Sequence, residues 1–343
     1  MPEPSPSHLS PPSLEHKVEA LRRPETYPVP TGPVHAIETH MSWVFLTDQL
    51  VYKLKKPVRR PYLDFSTLGL RARNCDAEIR LNRRLADDVY LGRAGLCQQA
   101  DRSLRVDGPG TPVEWLVCMR RLPEQRTLAH LLPKGEPCPR DLAPVADRLA
   151  EFYARQPPAD LDAASYLADL EADLQQSLRT LRDPASRLSD QLVRAACDPP
   201  LRCLAGVPDM FRRRVQQGHV VEGHGDLRPE HVYVLEPPAV LDCLEFNPQL
   251  RTLDAADDLA FLSMECERLR AAFVGPLLFG SYGRRSGDSV PPRLVTFYKC
   301  YRAVQRARLA AWRLQDGDRD AFARFHSRAT EYLRLARRHA AML

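Results

Sequence analysis

Lysine is scarce in this sequence, although basic residues are not. Of 49 lysines and arginines only six are lysines, and three of the six lie close together at Lys53, Lys55 and Lys56. The compact, strongly hydrated ammonium group of lysine does not substitute for a planar guanidinium, so lysines retained in an arginine-rich chain indicate a specific role. Chance clustering is the competing interpretation of this group.

Two further absences limit the class of protein. No apolar run approaches the length of a membrane span, and the N-terminus has no apolar signal core. The nine cysteines are odd in number and contain no C-x-x-C pair, which predicts reduced thiols rather than a disulfide framework. We therefore expect a cytoplasmic protein with no membrane partner.

The charge balance disfavours one kind of partner and favours another. The net charge of +5 is mild for 343 residues, and basic and aromatic residues are not strongly interleaved. We therefore expect no nucleic-acid partner, whereas small anions such as nucleotides suit a mildly basic protein. A hydrophobic content of 44% and a charged content of 27% are typical of a globular protein of one large or two modest domains.

The most informative stretch is EGHGDLRPEHVYV at positions 222–234, followed by VLDCLEF at positions 240–246. A polar loop, a β-branched run, a Pro-Pro turn and a second apolar run predict a hairpin that brings Asp226, His231 and Asp242 to one end. Two carboxylates and an imidazole can hold a divalent metal and leave an acid free as proton acceptor, which suits phosphoryl transfer. The competing interpretation of each aspartate is a turn or cap residue.

This stretch resembles the H-x-D-x-x-x-x-N catalytic loop and the later metal-binding aspartate of the protein-kinase fold. Its His-Gly-Asp form is similar to that of aminoglycoside phosphotransferases. Residues 44–85 and 224–264 resemble a bacterial family of largely uncharacterised aminoglycoside-phosphotransferase-like proteins. Some members carry a second, P-loop kinase domain, which we do not expect in this chain. The resemblance implies an α+β, two-lobed protein-kinase-like fold with a small β-rich N-lobe and a larger, mainly helical C-lobe.

The predicted organisation has three parts. Residues 1–30 form a disordered tail and a short helix, residues 31–122 the nucleotide-binding N-lobe, and residues 123–343 the C-lobe. In the N-lobe, the local patterns predict strands at 34–39, 43–47, 50–54 and 113–119 and a helix at about 70–85. In the C-lobe, they predict helices at 142–152, 166–181, 188–197 and 294–314, a helix that opens at 250, a loop at 284–288 and a final arginine-rich helix.

ATP is the cofactor that the resemblance implies, with Lys53 on the third strand contacting the α- and β-phosphates. Alternation places Lys53 and Lys55 on one face of that strand, and the resemblance selects Lys53; a surface lysine is the alternative. Glu78, in the following helix, would orient this lysine. An ordinary solvated charge pair is the competing interpretation of Glu78.

The other nucleotide contacts come from less distinctive residues. Met119 and Arg120 lie where the resemblance places the hinge, whose backbone groups would bond adenine. The turn at 39–42 contains no glycine, although a phosphate-covering loop normally needs one for close backbone approach. The phosphate contacts there would come from Ser42 and backbone amides.

In the C-lobe, the resemblance assigns Asp226 as the catalytic carboxylate, which accepts or orients the acceptor hydroxyl. Asp242 would bind the Mg²⁺ that bridges the phosphates. His231 stands where kinases carry an asparagine that binds a second metal, and imidazole suits Mn²⁺ or Zn²⁺ better than Mg²⁺. Either the second metal site is altered, or His231 hydrogen-bonds the loop. Glu245 would coordinate the metal or support it.

The remaining candidates have supporting or substrate roles. His224 is expected to pack inward with a nitrogen on a backbone carbonyl, and Asp258 to brace the catalytic loop from below. Arg228 would contact substrate or pair with its neighbour. Three further residues share a face of the helix at 294–314, which is either a solvated basic face or a pocket for an anionic acceptor: Tyr298, Arg302 and Arg306.

Three functions compete at this point. The leading one is an ATP-dependent phosphotransferase that moves the γ-phosphate to a hydroxyl of a small molecule. The second is a nucleotide-binding pseudokinase or regulatory module without turnover, which His231 and the glycine-free turn favour. The third is a metal-dependent hydrolase whose ligands come from the set His219, His224, Asp226 and His231.

Overall fold

The computed structural model describes residues 12–60, 63–316 and 319–343. Most of the predicted disordered tail lies outside these residues. Contacts divide the chain into two compact units. The first, here called the β-rich unit, runs to Pro123 and includes Glu245–Asn247. The second, the helical unit, comprises Glu124–Leu244 and Pro248–Leu343.

The β-rich unit is built on an antiparallel sheet with the strand order β1-β2-β3-β8-β6-β7. The strands are β1 (His35–Glu38), β2 (Ser42–Leu46), β3 (Leu50–Lys55), β4 (Arg59–Arg60), β5 (Leu63–Asp64), β6 (Tyr90–Gln98), β7 (Leu104–Val106) and β8 (Thr111–Arg120). The helices are α1 (Leu14–Leu21) and α2 (Leu68–Asn82). Strands β4 and β5 form a separate small ladder.

The predicted three-stranded meander is present as β1, β2 and β3. Its alternating pattern sends Phe45 and Leu54 into the core, where both are fully buried with Leu116 of β8. Strands β6 and β7 were not predicted. Strand β6 contains two glycines and an arginine, and two register shifts interrupt its pairing with β8, so it shows no clean alternation.

The helical unit contains nine α-helices and two short ladders among its described residues. The helices are α3 (Leu128–Leu131), α4 (Pro139–Arg155), α5 (Ala163–Leu181), α6 (Asp190–Gly206), α7 (Pro208–Gln216), α8 (Ala255–Arg268), α9 (Val274–Ser286), α10 (Pro292–Trp312) and α11 (Arg319–Ala340). The strands are β9 (Val220–Glu222), β10 (Val232–Tyr233), β11 (Ala239–Val240) and β12 (Thr252–Asp254), with β10 paired to β11 and β12 to β9.

Helix α10 lies at the centre of the helical core. It packs against α5, α6, α8 and α11, and its residues Leu294, Phe297 and Tyr298 are fully buried. No helix in the described ranges is long and apolar enough to cross a membrane.

Three predicted boundaries in this unit are wrong. The helix expected at 188–197 continues through Pro199 and Pro200 to Gly206 as α6. The helix expected to open at residue 250 begins at Ala255, because Thr252–Asp254 pairs with Val220–Glu222 as a strand and the Asp254 side chain caps the helix by accepting from the Ala256 amide. The loop expected at 284–288 begins later, since α9 continues to Ser286 and ends at Gly287, whose φ of 74° suits a helix terminus.

A buried ion cluster connects α7, β12 and α10. Arg214 of α7 makes a bidentate contact with Asp254 at 2.7 and 2.8 Å and a second one with Asp288 at 2.7 and 2.6 Å. Asp254 also accepts from the Tyr298 hydroxyl at 3.0 Å. A planar guanidinium matches two carboxylates in this way, so each buried charge has a partner.

Replacing Asp254 with alanine is expected to destabilise the helical unit strongly. The change removes the α8 cap and one of the two carboxylates that balance the buried Arg214, and breaking a buried ion pair costs about 3–5 kcal/mol. Urea unfolding followed by circular dichroism measures the free energy. Asp209→Ala breaks an exposed pair with Arg212 and is expected to cost less than about 0.5 kcal/mol; similar losses for both variants would contradict the prediction.

Candidate functional site

The predicted hairpin exists and gathers the predicted side chains. Strands β10 and β11 pair antiparallel, with Val232 opposite Val240. His231, immediately before β10, lies with Nδ1 3.8 Å from Asp226 Oδ2 and with Nε2 3.6 Å from Asp242 Oδ2. The hairpin therefore brings both carboxylates to the same imidazole, all within the helical unit.

Two glycines allow the close path of the loop before Asp226. Gly225 has a φ of 84°, in the left-handed region that favours glycine. A Cβ atom on Gly223 would lie 2.6 Å from Asp258 Oδ2. The glycines let the backbone reach a carboxylate beneath it.

That carboxylate, Asp258, is in the first turn of α8 and is fully buried. It accepts hydrogen bonds from the backbone N–H of His224 at 2.7 Å and of Gly225 at 3.1 Å. It also accepts from the Tyr153 hydroxyl at 2.9 Å. Asp258 thus fixes the backbone immediately before Asp226, and Tyr153 is a contributor that no sequence pattern indicated.

His224 connects the loop to the second arm of the hairpin. Its Nε2 donates to the Leu241 carbonyl at 2.9 Å, and its Nδ1 accepts from the Asp226 amide at 3.3 Å. Burial lowers the pKa of His224 to about 4, so the ring is neutral at neutral pH, in keeping with these contacts.

Asp226 carries a negative charge at neutral pH. Burial raises its pKa, but the neighbouring guanidinium groups, Arg228 first and then Arg306, outweigh that effect and hold the pKa below its usual value. The nearest cation is Arg228, whose Nη2 lies 2.9 Å from Asp226 Oδ2. The Arg228 guanidinium also lies 3.6 Å from Glu230.

The hydrogen bonds of His231 fix its tautomer. Nδ1 lies 2.9 Å from the backbone carbonyl of Asp226, which can only accept, so Nδ1 carries a proton. Nε2 lies 3.1 Å from Arg228 Nη2, which can only donate, so Nε2 accepts. The ring is therefore singly protonated and bonds the loop.

Asp242 is the accessible carboxylate of the group. Its side chain is 48% exposed, and its backbone has a φ of 62°, which is uncommon for a residue other than glycine and occurs often at functional sites. Carboxylate oxygens are the ligands that Mg²⁺ prefers, so Asp242 fits the metal role. Across the described ranges, however, no cluster of three or more His, Cys, Asp or Glu side chains could hold a metal ion on its own.

The ligand set of a metal-dependent hydrolase is not brought together. His219 lies apart from the hairpin group, 3.5 Å from Asp288 and next to the Arg214 cluster. Burial and the charge of Arg214 lower the pKa of His219. The four residues considered for that function therefore do not form one site.

In the β-rich unit, two lysines share one glutamate. Lys53 Nζ lies 2.9 Å from Glu78 Oε1, and Lys55 Nζ lies 2.5 Å from Glu78 Oε2. Lys55 also contacts Glu245 Oε1 at 2.7 Å. The Lys55 side chain is fully buried, whereas that of Lys53 is 16% exposed. Burial lowers the pKa of Lys55, but Glu245 and Glu78 raise it more, so Lys55 stays charged.

This cluster bears on two residues considered from the sequence. Glu245 pairs with Lys55 within the β-rich unit, and its role toward a metal ion stays a prediction. The resemblance selects Lys53 and assigns no role to Lys55, although the alternation of β3 places both lysines on the same face. The scarcity of lysine was the signal that could have identified both.

The other predicted nucleotide contacts lie in β2 and β8. Ser42 is buried. The Thr39 hydroxyl donates to the Ser42 carbonyl and accepts from the Ser42 amide, which closes the glycine-free turn. Met119 is buried opposite Val51. The amide of Arg120 donates to the Val89 carbonyl at 2.8 Å, so this N–H is already engaged within the unit and would have to leave that bond to contact adenine.

The face predicted on α10 is mostly interior. Tyr298 is fully buried and donates to Asp254, and Arg302 is buried against Asp257 with two contacts of 2.7 Å. Neither forms a solvated face or lines an acceptor pocket, because neighbouring helices enclose this side of α10. Arg306 is 15% exposed and lies 3.3 Å from Glu265.

Comparisons with known proteins agree with the predicted fold. No family model matches the chain. Uncharacterised proteins of Mycobacterium tuberculosis and Mycobacterium bovis are each 34% identical over 303 residues, which is 87% of this chain and 59% of the relative. The chain thus spans less than two thirds of the length of the relatives it matches.

Two solved structures are similar over most of the chain. A choline/ethanolamine kinase family protein from Mesorhizobium loti has a TM-score of 0.50 at 16% identity, with 94% of this chain and 99% of that chain covered. The apo form of a thermostable mutant of aminoglycoside phosphotransferase APH(4)-Ia has a TM-score of 0.50 at 12% identity, with 89% and 95% covered. The predicted kinase-like α+β fold is confirmed.

Lys55 and Lys53 are expected to differ in their contributions to stability. Lys55→Met removes a buried cation that two carboxylates share and should cost about 3–5 kcal/mol. Lys53→Met removes a partly exposed cation, leaves Lys55 on Glu78 and should cost about 1 kcal/mol. Chemical denaturation of the two variants beside the unaltered protein measures both free energies of unfolding. Equal losses would show that the two lysines are equivalent in the fold.

Asp258→Asn is expected to loosen the loop before Asp226. The His224 and Gly225 amides share Asp258 Oδ2, and the Gly225 amide also reaches Oδ1. Asparagine replaces this charged acceptor with a single neutral oxygen and puts a donor at the other oxygen position, so the bonds to the loop weaken at a cost of about 1–3 kcal/mol. Hydrogen exchange should become faster at the His224 and Gly225 amides. Tyr153→Phe removes one donor to Asp258 and leaves both amides bonded, so their exchange should stay slow; fast exchange in both variants would argue against the brace.

Proposed function

We propose that this chain is an ATP-dependent phosphotransferase that moves the γ-phosphate of ATP to a hydroxyl group of a small molecule. The observation that carries the proposal is the hairpin group, in which an ionised carboxylate, Asp226, and an accessible carboxylate, Asp242, flank His231. In this proposal residues 31–122 form the nucleotide-binding lobe and residues 123–343 the lobe that carries Asp226.

Asp226 is proposed as the catalytic carboxylate. Because its pKa lies below the usual value, it is ionised throughout the physiological range and is a weak base. Phosphoryl transfer proceeds through a loose transition state and depends mainly on positioning and charge neutralisation. Asp226 therefore orients the acceptor hydroxyl and takes its proton late in the transfer.

Asp242 is proposed as the metal ligand and Lys53 as the phosphate ligand. A bound Mg²⁺ supplies charge neutralisation on the phosphate oxygens. In the β-rich unit, Lys55 holds the buried side of Glu78, while Glu78 orients the partly exposed Lys53. This division leaves the Lys53 ammonium accessible to a phosphate.

The structural neighbours support a small-molecule acceptor. Their names identify a choline/ethanolamine kinase family protein and an aminoglycoside phosphotransferase. Choline and aminoglycosides differ greatly in size, and one scaffold hosts many substrates, so the proposal assigns the reaction and leaves the acceptor unassigned.

A nucleotide-binding module without turnover is the second candidate. The observation that favours it is the position of Arg228, whose guanidinium contacts both Asp226 and His231. Such a module would bind metal–ATP, would transfer no phosphate, and would bind equally well after Asp226→Asn.

Calorimetric titration of ATP with Mg²⁺, and then with Mn²⁺, tests nucleotide binding. Asp242→Asn should weaken binding at least tenfold, which corresponds to about 1.4 kcal/mol, because the metal loses a charged ligand. The exposed Asp209→Asn serves as the matched control and should bind as the unaltered protein does. Absence of binding with either metal would overturn the proposed function.

Turnover is tested by following ADP release against a panel of hydroxyl compounds. Asp226→Asn should lower kcat by about 10²–10⁴-fold and leave the affinity for ATP within about twofold, since Asp226 acts on the acceptor and not on the nucleotide. Binding of ATP without ADP release from any compound would favour the second candidate.

A further inference from the structure

In the kinase-like pattern, residue 231 corresponds to a ligand of a second metal ion. The resemblance places an oxygen-bearing asparagine at position 231, and this chain has His231. Building on the proposed function, we infer that the guanidinium of Arg228 replaces a second divalent cation beside Asp226, so that the site takes one divalent cation for each bound nucleotide.

The guanidinium occupies a position that a cation would take. Arg228 Nη2 lies 2.9 Å from Asp226 Oδ2 and 3.1 Å from His231 Nε2, and Nη1 lies 3.6 Å from Glu230 Oε1. One positive group thus lies between a catalytic carboxylate and the residue at the second metal position. Asp226 and Glu230 stabilise its charge against the cost of burial.

The donor chemistry of His231 does not fit a second metal. Its Nδ1 proton is donated to the Asp226 carbonyl, and its Nε2 lone pair accepts from Arg228. A metal on Nε2 would displace Arg228 from this contact and would lie next to a permanently charged guanidinium. Imidazole is also a poor ligand for Mg²⁺.

Asp242 remains as the ligand for one cation. Its Oδ2 lies 3.6 Å from His231 Nε2, and its side chain is half exposed. The cluster therefore offers the accessible carboxylate of Asp242 for a metal ion and the Arg228 guanidinium as a fixed organic cation for the remaining negative charge. A guanidinium with several N–H donors can bond phosphate oxygens directly, as a metal ion would.

Counting bound Mn²⁺ tests this inference. The protein is saturated with a non-hydrolysable ATP analogue, and free Mn²⁺ is followed by electron paramagnetic resonance during a Mn²⁺ titration. We expect one tightly held Mn²⁺ for each protein-bound analogue. Two tightly held Mn²⁺ ions would overturn the inference and leave the proposed phosphotransferase intact. No analogue binding at all would overturn both.

A double variant tests the assigned cause. Arg228→Met with His231→Asn removes the guanidinium and restores an amide oxygen, so the count should rise to two Mn²⁺ for each bound analogue. Arg212→Met removes an exposed arginine that pairs with Asp209 and should keep the count at one. A folded double variant that still holds one Mn²⁺ would overturn the role of Arg228. If the double variant does not fold, the count on the unaltered protein decides the stoichiometry.

Discussion

The candidate site depends on one buried carboxylate. A fully buried charge is unfavourable unless hydrogen bonds compensate it, and Asp258 obtains these bonds from two backbone amides and the Tyr153 hydroxyl. Because Asp258 belongs to α8, in which every residue from Ala255 to Cys266 is buried, it cannot move without disturbing the helical core. The loop that leads to Asp226 therefore takes its shape from the most deeply packed helix of the unit.

The same unit compensates its other buried charges with arginine. Arg214 and Arg302 each form bidentate contacts with buried aspartates, a geometry that a planar guanidinium provides and an ammonium does not. The high arginine content of the sequence thus has a structural role, since buried arginines hold aspartates in place in the interior of the helical unit. A buried glutamate that binds two lysines, Glu78, lies instead in the β-rich unit.

Local patterns predicted the parts of the structure that local chemistry determines. The alternation of β3, the Pro-Pro turn of the hairpin and the caps and breaks of several helices are short-range signals. The interior position of Tyr298 and Arg302 could not be read in this way, because spacing along α10 shows which residues share a face but not whether another helix covers that face. Strand β6 was missed for a related reason, since its pairing with β8 is set by long-range contacts and its glycines hide the alternation.

The departure at position 231 concerns charge and not only residue identity. An asparagine in that place presents an oxygen, and a metal ion must then provide the positive charge that balances Asp226 and the phosphates. In this chain His231 presents a lone pair that a neighbouring guanidinium already occupies, and the same guanidinium neutralises Asp226. A histidine acceptor and an arginine donor together can therefore do what an asparagine and a second cation do elsewhere. In the proposed site, His231 and Arg228 therefore act as a pair, joined by the hydrogen bond from Arg228 Nη2 to His231 Nε2.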